Sequence, residues 1–259
     1  MLLAVDIGNS ATKFGVFEGE RLLSKFSIHT IRDADVSLIS EKIAGRLNQP
    51  FHSAIIASVV PELDAVMRDY LRDEHKTEPT FIDHGFDFGL RVTYEPLTSL
   101  GIDRLVNASA AATLYGMPCI VCSFGTATTI DAVSSDGEYL GGIIAPGMKV
   151  MAKALNLAAA KLPEVEIVKP ANVLGDTTAA SIRSGVYFGY VALVEGLIEK
   201  ISKNLKLTQP DKATKGSTLY VVATGGYAET VAAEVSALNI VNTNLTLEGL
   251  RLLFERRVS

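Results

Sequence analysis

The sequence has no tryptophan, two cysteines and nine prolines among 259 residues, and charge is sparse, at 20% of residues with a net value of −5. Each scarcity excludes something. Two cysteines cannot build a disulfide framework. With no second pair, Cys119 and Cys122 cannot supply the four ligands of a tetrahedral zinc site. The surrounding "MPCIVCSFG" reads as a strand, which turns residues three apart to opposite faces, whereas a C-x-x-C redox pair sits at a helix start. Both are read as plain buried thiols suited to a reducing cytoplasm. There is no Lys/Arg block, so neither nucleic acid nor an anionic membrane surface is the expected partner. "MLLAV" is too short for a signal-peptide core, and no apolar run approaches the roughly 20 residues of a membrane span. His29, His52, His75 and His84 share no ligand spacing and are read as structural or solvated. Neither a P-loop nor a G-x-G-x-x-G dinucleotide motif is present.

What is abundant is apolar sequence, 48% of the chain, ample for one large domain or two of about 120 residues. "LLAVDIG", "TKFGVFE" and "RLLSKFSIHT" read as three strands, the second turn lying at "EGER". "DADVSLISEKIAGRL" places Val36, Ile39, Ile43 and Leu47 at helical spacing. "HSAIIASVV" is a buried strand, Pro61 suits a first helical turn, and "ELDAVMRDYLRDEH" continues as helix. "TEPTFID" and "GLRVTY" are short strand candidates, and "GIDRLVNASAAATLYG" is a small-residue helix closed by glycine. Then the pattern restarts. "MPCIVCSFGTATTIDAVSSDGEYLGGIIAPG" is again three strands; aligning Gly8 with Gly125 brings the turns "EGE" and "DGE" within a residue of register and Asp6 onto Ser123. The expectation is an internal duplication, domains 1–115 and 116–259, in an α/β architecture. Ile182, Val186, Leu193, Leu197 and Ile201 mark a long helix. "GSTLYVVATGG" is a strand, "AETVAAEV" and "LTLEGLRLLFERR" are closing helices, and the polar "NLKLTQPDKATKGS" is a surface loop. Met148, Met151 and Leu155 form a stripe read as core or subunit contact.

Four constellations carry chemistry. In "DIGNSATK", Gly8 lets backbone approach an anion without a Cβ in the way; Asn9, Ser10 and Thr12 can donate to phosphate oxygens, and Lys13 adds a point charge. Asp6 would repel bare phosphate, but suits Mg²⁺ placed between them. The alternative is a hairpin whose aspartate caps the turn. "SFGTATTID" repeats strand, glycine and hydroxyls at Gly125, Thr126, Thr128 and Thr129. Two such hairpins could clasp a polyphosphate. In "YEPLTSLGIDR", Asp103 and Arg104 follow a glycine at a helix start, which suits an anionic substrate. Asp103 could take a hydroxyl proton and Arg104 could hold a carboxylate or phosphate; a helix cap with a surface ion pair is the plainer reading. "VVATGGYAE" ends a strand on Gly225-Gly226, where a base or ribose could lie against backbone.

Together with "ASVVP", "GGIIAPG", "KLPEVEI" and "GDTTAASIRSG", these motifs resemble type III pantothenate kinase over essentially the whole chain. The resemblance implies two duplicated ribonuclease-H-like domains of the actin-like ATPase superfamily, each with a mixed five-stranded sheet flanked by helices, in a homodimer. The long helix beginning near Thr178 is the expected seam. It implies ATP-dependent phosphorylation of pantothenate, the first step towards coenzyme A, with Mg²⁺ and a monovalent cation, K⁺ or NH₄⁺. By motif match, residues 6–13 and Thr126 would hold Mg²⁺ and ATP, Asp103 would be the general base, and Tyr94, Gly101, Ile102, Asp103, Arg104 and Thr178 would bind pantothenate.

Three positions depart from the usual pattern. Ser10 replaces threonine and keeps the hydroxyl. Ile102 stands where a small residue is usual, which implies a tighter substrate turn. Ser123 stands where an aspartate associated with the monovalent cation is usual. A carboxylate–K⁺ pair is worth on the order of 4 kcal/mol at an effective dielectric of 20, and a hydroxyl supplies none of that charge. Asp131, eight residues on, is read as lying past the hairpin strand and not as a substitute. Weakened K⁺ dependence is therefore expected. Two other readings stand beside this one. The first is a catalytically weak or inactive relative serving as a binding protein or transcription accessory factor. The second is a kinase for another small acceptor, a sugar or short acid, though the Tyr94-to-Arg104 stretch argues for an acidic one.

Overall fold

The computed structural model describes residues 1–159, 161–204 and 219–258. The loop expected at "NLKLTQPDKATKGS" therefore lies almost wholly outside the described residues. The chain divides into two compact units, Met1–Leu114 with Asn244–Ser259, and Tyr115–Thr243.

The first unit begins with strands β1 (Leu2–Ile7), β2 (Ala11–Glu18) and β3 (Arg21–His29), joined as antiparallel neighbours. Gly19 makes the β2–β3 turn at φ 56°, a left-handed backbone that costs glycine nothing. The chain then crosses over through α1 (Val36–Ile43) to β4 (Ser53–Ser58), which pairs parallel to β1. Asp35 caps α1 by accepting from Leu38 N–H at 2.8 Å. The helix stops short of Leu47, contrary to the periodicity, because Gly45 turns the chain at φ 72°. A single 3₁₀ turn at Pro61–Leu63 leads into α2 (Asp64–His75), followed by β5 (Pro79–Phe81), parallel to β4. Sheet order is β3-β2-β1-β4-β5. One sheet face carries Leu3, Val5, Ile7, Phe14 and Ile56 into a core with Ile39, Ile43, Met67 and Leu71 of α1 and α2. Each fully buried side chain of that size contributes about 1.5–3 kcal/mol. After the two-residue strand β6 (Arg91–Val92) comes α3 (Ile102–Tyr115), ended by Gly116 at φ 102°.

The second unit repeats the plan. Strands β7 (Cys119–Phe124), β8 (Ala127–Val133) and β9 (Glu138–Pro146) run antiparallel, and β10 (Tyr220–Thr224) and β11 (Ile240–Val241) add in parallel, giving five strands in the order β11-β10-β7-β8-β9 within a sheet of six, one more than the five expected. This is the first sheet's order read from the other end. Ile120, Cys122, Phe124 and Ile130 face a core with α4 (Met148–Ala158), α5 (Thr178–Asn204) and α6 (Ala228–Ala232). On α5 the expected stripe holds at Ile182 and Val186. It then shifts to Tyr190, Val194 and Ile198, while Leu193 is exposed, because that is how 3.6-residue geometry continues over 27 residues. Both cysteines are buried thiols, as expected, and burial pushes the Cys119 thiol up to about 12.

The last helix, α7 (Leu245–Val258), packs on β1, β2 and β4, so the chain's end belongs with the first unit rather than with 116–259. Gly249 makes that possible: an added Cβ would lie 2.8 Å from Val106 Cγ1 of α3. No helix among the described residues is long and apolar enough to cross a membrane.

Candidate active site

Asp6 is the penultimate residue of β1, buried on the sheet face opposite Val5 and Ile7. Its cross-strand partner is Lys13, and the ammonium lies 3.0 Å from Asp6 Oδ2. The aspartate does not cap the turn; it carries a cation across the hairpin. The turn itself closes when Gly8 N–H donates to Ala11 O at 3.1 Å, leaving Asn9 and Ser10 exposed at the tip. Thr12 points inward: it is buried, with its hydroxyl 3.0 Å from that of Thr30. Thr30 donates in turn to Gly8 O at 2.7 Å and, through its backbone, to Ser10 O. Arg32 donates to Asn9 Oδ1 at 2.5 Å, which orients the amide NH₂ of Asn9 outward as a donor.

Tyr94, Gly101, Ile102, Asp103 and Arg104 belong to the same unit. Gly101 precedes α3, and its carbonyl accepts from Arg104 N–H at 3.1 Å. Asp103 folds back over it, so a Cβ at Gly101 would lie 2.6 Å from Asp103 Oδ1. The glycine is what lets the carboxylate lie there. Ile102 and Arg104 are buried, while Tyr94 and Asp103 are half-buried.

The remaining residues lie in the second unit. Gly125 N–H donates to Ala127 O at 3.1 Å, as Gly8 does to Ala11, but here only Thr126 lies between them. Two glycines press on this turn. Gly147 donates to Thr126 O, and an added Cβ would fall 2.3 Å from Gly125 O. Gly225, delivered by β10 alongside β7, has φ 91°, and an added Cβ would fall 2.6 Å from Phe124 O. Ser123, Gly125, Thr126 and Gly225 are thus gathered at one end of the sheet. Thr178 is not among them; it opens α5, exposed, next to the capping residue Thr177, whose hydroxyl accepts from Ala180 N–H. Beneath the turn, Thr128 and Tyr190 share a buried hydroxyl contact, and burial pushes the Tyr190 phenol up to about 12. Asp131 corrects an expectation. The one-residue turn starts β8 at Ala127, so Asp131 lies inside that strand, opposite Val121 and on the same face as Ser123. It accepts from Tyr139 OH at 2.6 Å.

Residues 2–200 match the type III pantothenate kinase family. The chain belongs to this family. A type III pantothenate kinase of Roseiflexus sp. (strain RS-1) is 41% identical over 98% of each chain, and one of Koribacter versatilis is 38% identical over 100% of this chain and 97% of its own. Among solved structures, a protein of Campylobacter jejuni assigned to the Baf family of transcriptional activators superposes with TM-score 0.61 at 20% identity, covering 99% of this chain and 98% of its own. A ROK family glucokinase of Streptomyces griseus, in complex with glucose and AMPPNP, gives 0.54 at 13% identity, covering 97% and 98%. At such identities these structures speak for the actin-like ATPase fold alone.

Within this type III pantothenate kinase fold, sequence reasoning missed Thr30, Arg32 and Gly147, the residues that brace the two turns. Thr30 carries no motif signal, since it follows β3 by one residue and meets the turn only through strand pairing. Gly147 ends "APG", where a glycine after a strand was the available hint.

Proposed function

We infer that this chain transfers the γ-phosphoryl group of ATP to the hydroxyl of pantothenate. The observation that carries the reading is a whole-length family likeness joined to a buried strand-end carboxylate that already attracts a cation across a glycine turn. Phosphoryl transfer passes through a loose transition state, so positioning and charge do most of the work. Mg²⁺ fits this donor set: one carboxylate, Asp6, with the remaining ligands from phosphate and water, is how such an ion is commonly held beside a nucleotide. When bound it offsets polyphosphate charge. Lys13 would be shared between Asp6 and the phosphates, Asn9 and Ser10 donate from the tip, Gly8 closes the turn without a Cβ in the way, and Thr12 holds it from beneath. Gly125, Thr126 and Gly225 offer backbone and a hydroxyl to the nucleotide. Asp103 orients the pantothenate hydroxyl and takes its proton late. Arg104, with Tyr94, Gly101 and Ile102, receives the carboxylate-bearing acceptor; Thr178 is assigned to pantothenate by motif match alone.

Ser123 fits a monovalent cation poorly, because a neutral hydroxyl adds an oxygen but no charge. Weak K⁺ dependence follows. The reading also includes two ribonuclease-H-like domains, a cytoplasmic location and a homodimer. The dimer is supported by apolar side chains left in solvent on α4 and α5, Leu155, Leu157 and Leu193; light scattering of the purified chain tests it.

The deciding experiment is ADP release on adding pantothenate, compared with a panel of sugars and short acids. Turnover with pantothenate is expected; none with any acceptor would return the chain to a binding or accessory role. Asp103→Asn should lower kcat about 10²- to 10⁴-fold while nucleotide titration stays within about two-fold. Unchanged turnover removes Asp103 from the base role.

A further inference from the structure

Residues 82–89 connect β5 to the segment leading to α3, and three of their side chains bond to backbone. Asp83 accepts from Gly85 N–H and Asp87 from Gly89 N–H, both at 2.8 Å. These are local bonds that shape the loop itself. His84 reaches further: its Nε2 lies 2.7 Å from the carbonyl oxygen of Leu100, sixteen residues on. A carbonyl can only accept, so Nε2 is the protonated nitrogen here.

Leu100 is only 1% exposed, and its carbonyl stands just outside the α3 ladder, whose opening acceptor is Gly101 O. A buried carbonyl needs a donor, and His84 supplies it. The next residue is Gly101, over which Asp103 is folded, so a change in the direction of Leu100 C=O passes through one peptide plane to the carboxylate. The loop does not depend on this bond for its own placement. Ile82 N–H donates to Ile56 O at 2.8 Å, and Ser109 Oγ donates to Phe88 O at 2.6 Å. Those anchors hold the loop to β4 and α3 on either side of His84.

We propose that His84 is a positioning residue for the acceptor side of the site, setting Gly101, Asp103 and Arg104 through the Leu100 carbonyl. The proposal rests on the reading of Asp103 and Arg104 given above. His84 touches no substrate in this scheme. Its effect falls on pantothenate and spares ATP, because the nucleotide-facing turn at Gly8 is braced separately by Thr30 and Arg32.

The test uses three variants of the full chain. His84→Leu removes the donor. His84→Gln places an amide near the position of Nε2, and His84→Asn places one near Nδ1, too short to reach. Pantothenate kcat/KM is expected to fall about ten-fold in His84→Leu and His84→Asn and to recover in His84→Gln, with KM for ATP constant within about two-fold. Amide hydrogen exchange provides a readout independent of turnover. Exchange over residues 101–105 should quicken in His84→Leu and return in His84→Gln, while residues 8–13 stay unchanged. Unchanged exchange at 101–105 overturns the positioning role. Faster exchange there with unchanged pantothenate kinetics overturns its link to Asp103. A wild-type chain inert towards pantothenate overturns the function reading instead, and the exchange pattern alone then decides whether His84 sets the turn.

Discussion

The turn after β1 and the turn after β7 are built on one plan and carry different chemistry. In each, a glycine two residues past the key position closes the turn with its N–H, Gly8 to Ala11 and Gly125 to Ala127. In each, the key residue sits on the sheet face away from the core shared with the crossover helices, Asp6 in the first and Ser123 in the second. The first holds an ion pair, Asp6 with Lys13; the second pairs Ser123 with Thr129 and Thr224, three neutral hydroxyls in a row across β8, β7 and β10. The support differs too. Side chains, Thr30 and Arg32, brace the first turn, whereas bare backbone, Gly147 and Gly225, presses on the second. One topology therefore yields a charged hairpin suited to a metal–phosphate complex and a neutral one suited to close backbone approach.

Removing the charge from the first turn should break this contrast most severely. Asp6→Asn deletes the only carboxylate at the turn and leaves Lys13 facing a neutral amide. Mg²⁺-dependent nucleotide affinity should fall about 10- to 100-fold, with little change in Mg²⁺-free binding. Calorimetry with and without Mg²⁺ distinguishes this from a general loss of binding. If both affinities fall together, Asp6 holds the turn and not the ion.

Crowding the second turn should come next. Gly225→Ala combines a left-handed backbone with a Cβ 2.6 Å from Phe124 O, neither of which an alanine tolerates. A loss of about 2 kcal/mol or more in stability is expected, with weaker nucleotide binding. Gly226→Ala is the control, since an added Cβ there meets nothing within 4 Å. Equal behaviour of the two variants would mean that backbone contact at Phe124 does not matter.

Charging the second turn tests the neutral half of the contrast more gently. Ser123→Asp should introduce or enlarge stimulation by K⁺ over Na⁺ by several-fold, against the on-the-order-of-4 kcal/mol ceiling for such a pair at an effective dielectric of 20. Asp131 is the competing consideration: it shares the face and is buried, and Tyr139 donates to it. If the wild-type chain already responds to K⁺ as strongly as Ser123→Asp, Asp131 supplies the charge and Ser123 is not the determinant.

Much of this was legible in sequence. The two three-strand runs, their glycine turns and the residues at the tips came from period-2 patterning and turn chemistry. What the pattern could not deliver is non-local. Thr30 meets Gly8 across 22 residues, and His84 meets Leu100 across 16. The return of α7 to the first unit depends on Gly249 admitting Val106, a packing fact with no local signal. Asp131 was placed beyond the second hairpin strand, whereas β8 runs on to Val133 and carries it on the face of Ser123. Helix ends failed where one residue decides them, as at Gly45.

The ends of β4 and β10 extend the comparison to its smallest expected effect. They are equivalent strands in the two sheets, but β10 runs into Gly225 whereas β4 runs through Ser58 to Asp64 at the head of α2. Asp64 Oδ1 is buried and makes no hydrogen bond, and burial raises the carboxyl above its ordinary 3.8; the Ser58 hydroxyl and Arg68 oppose the rise, and Glu62 adds to it. A carboxyl raised in the folded state binds its proton more readily folded than unfolded, so stability falls as pH climbs from 3.8 through the folded value. Asp64→Asn stays neutral throughout and escapes that loss. Its Tm should match wild type below pH 3.8 and exceed it at neutral pH, by no more than about 2 °C because the group is only partly buried. A Tm lower than wild type at neutral pH would mean that the ionised carboxylate works for the helix N-terminus, as an acidic first turn ordinarily does, and that the burial of Oδ1 carries no penalty.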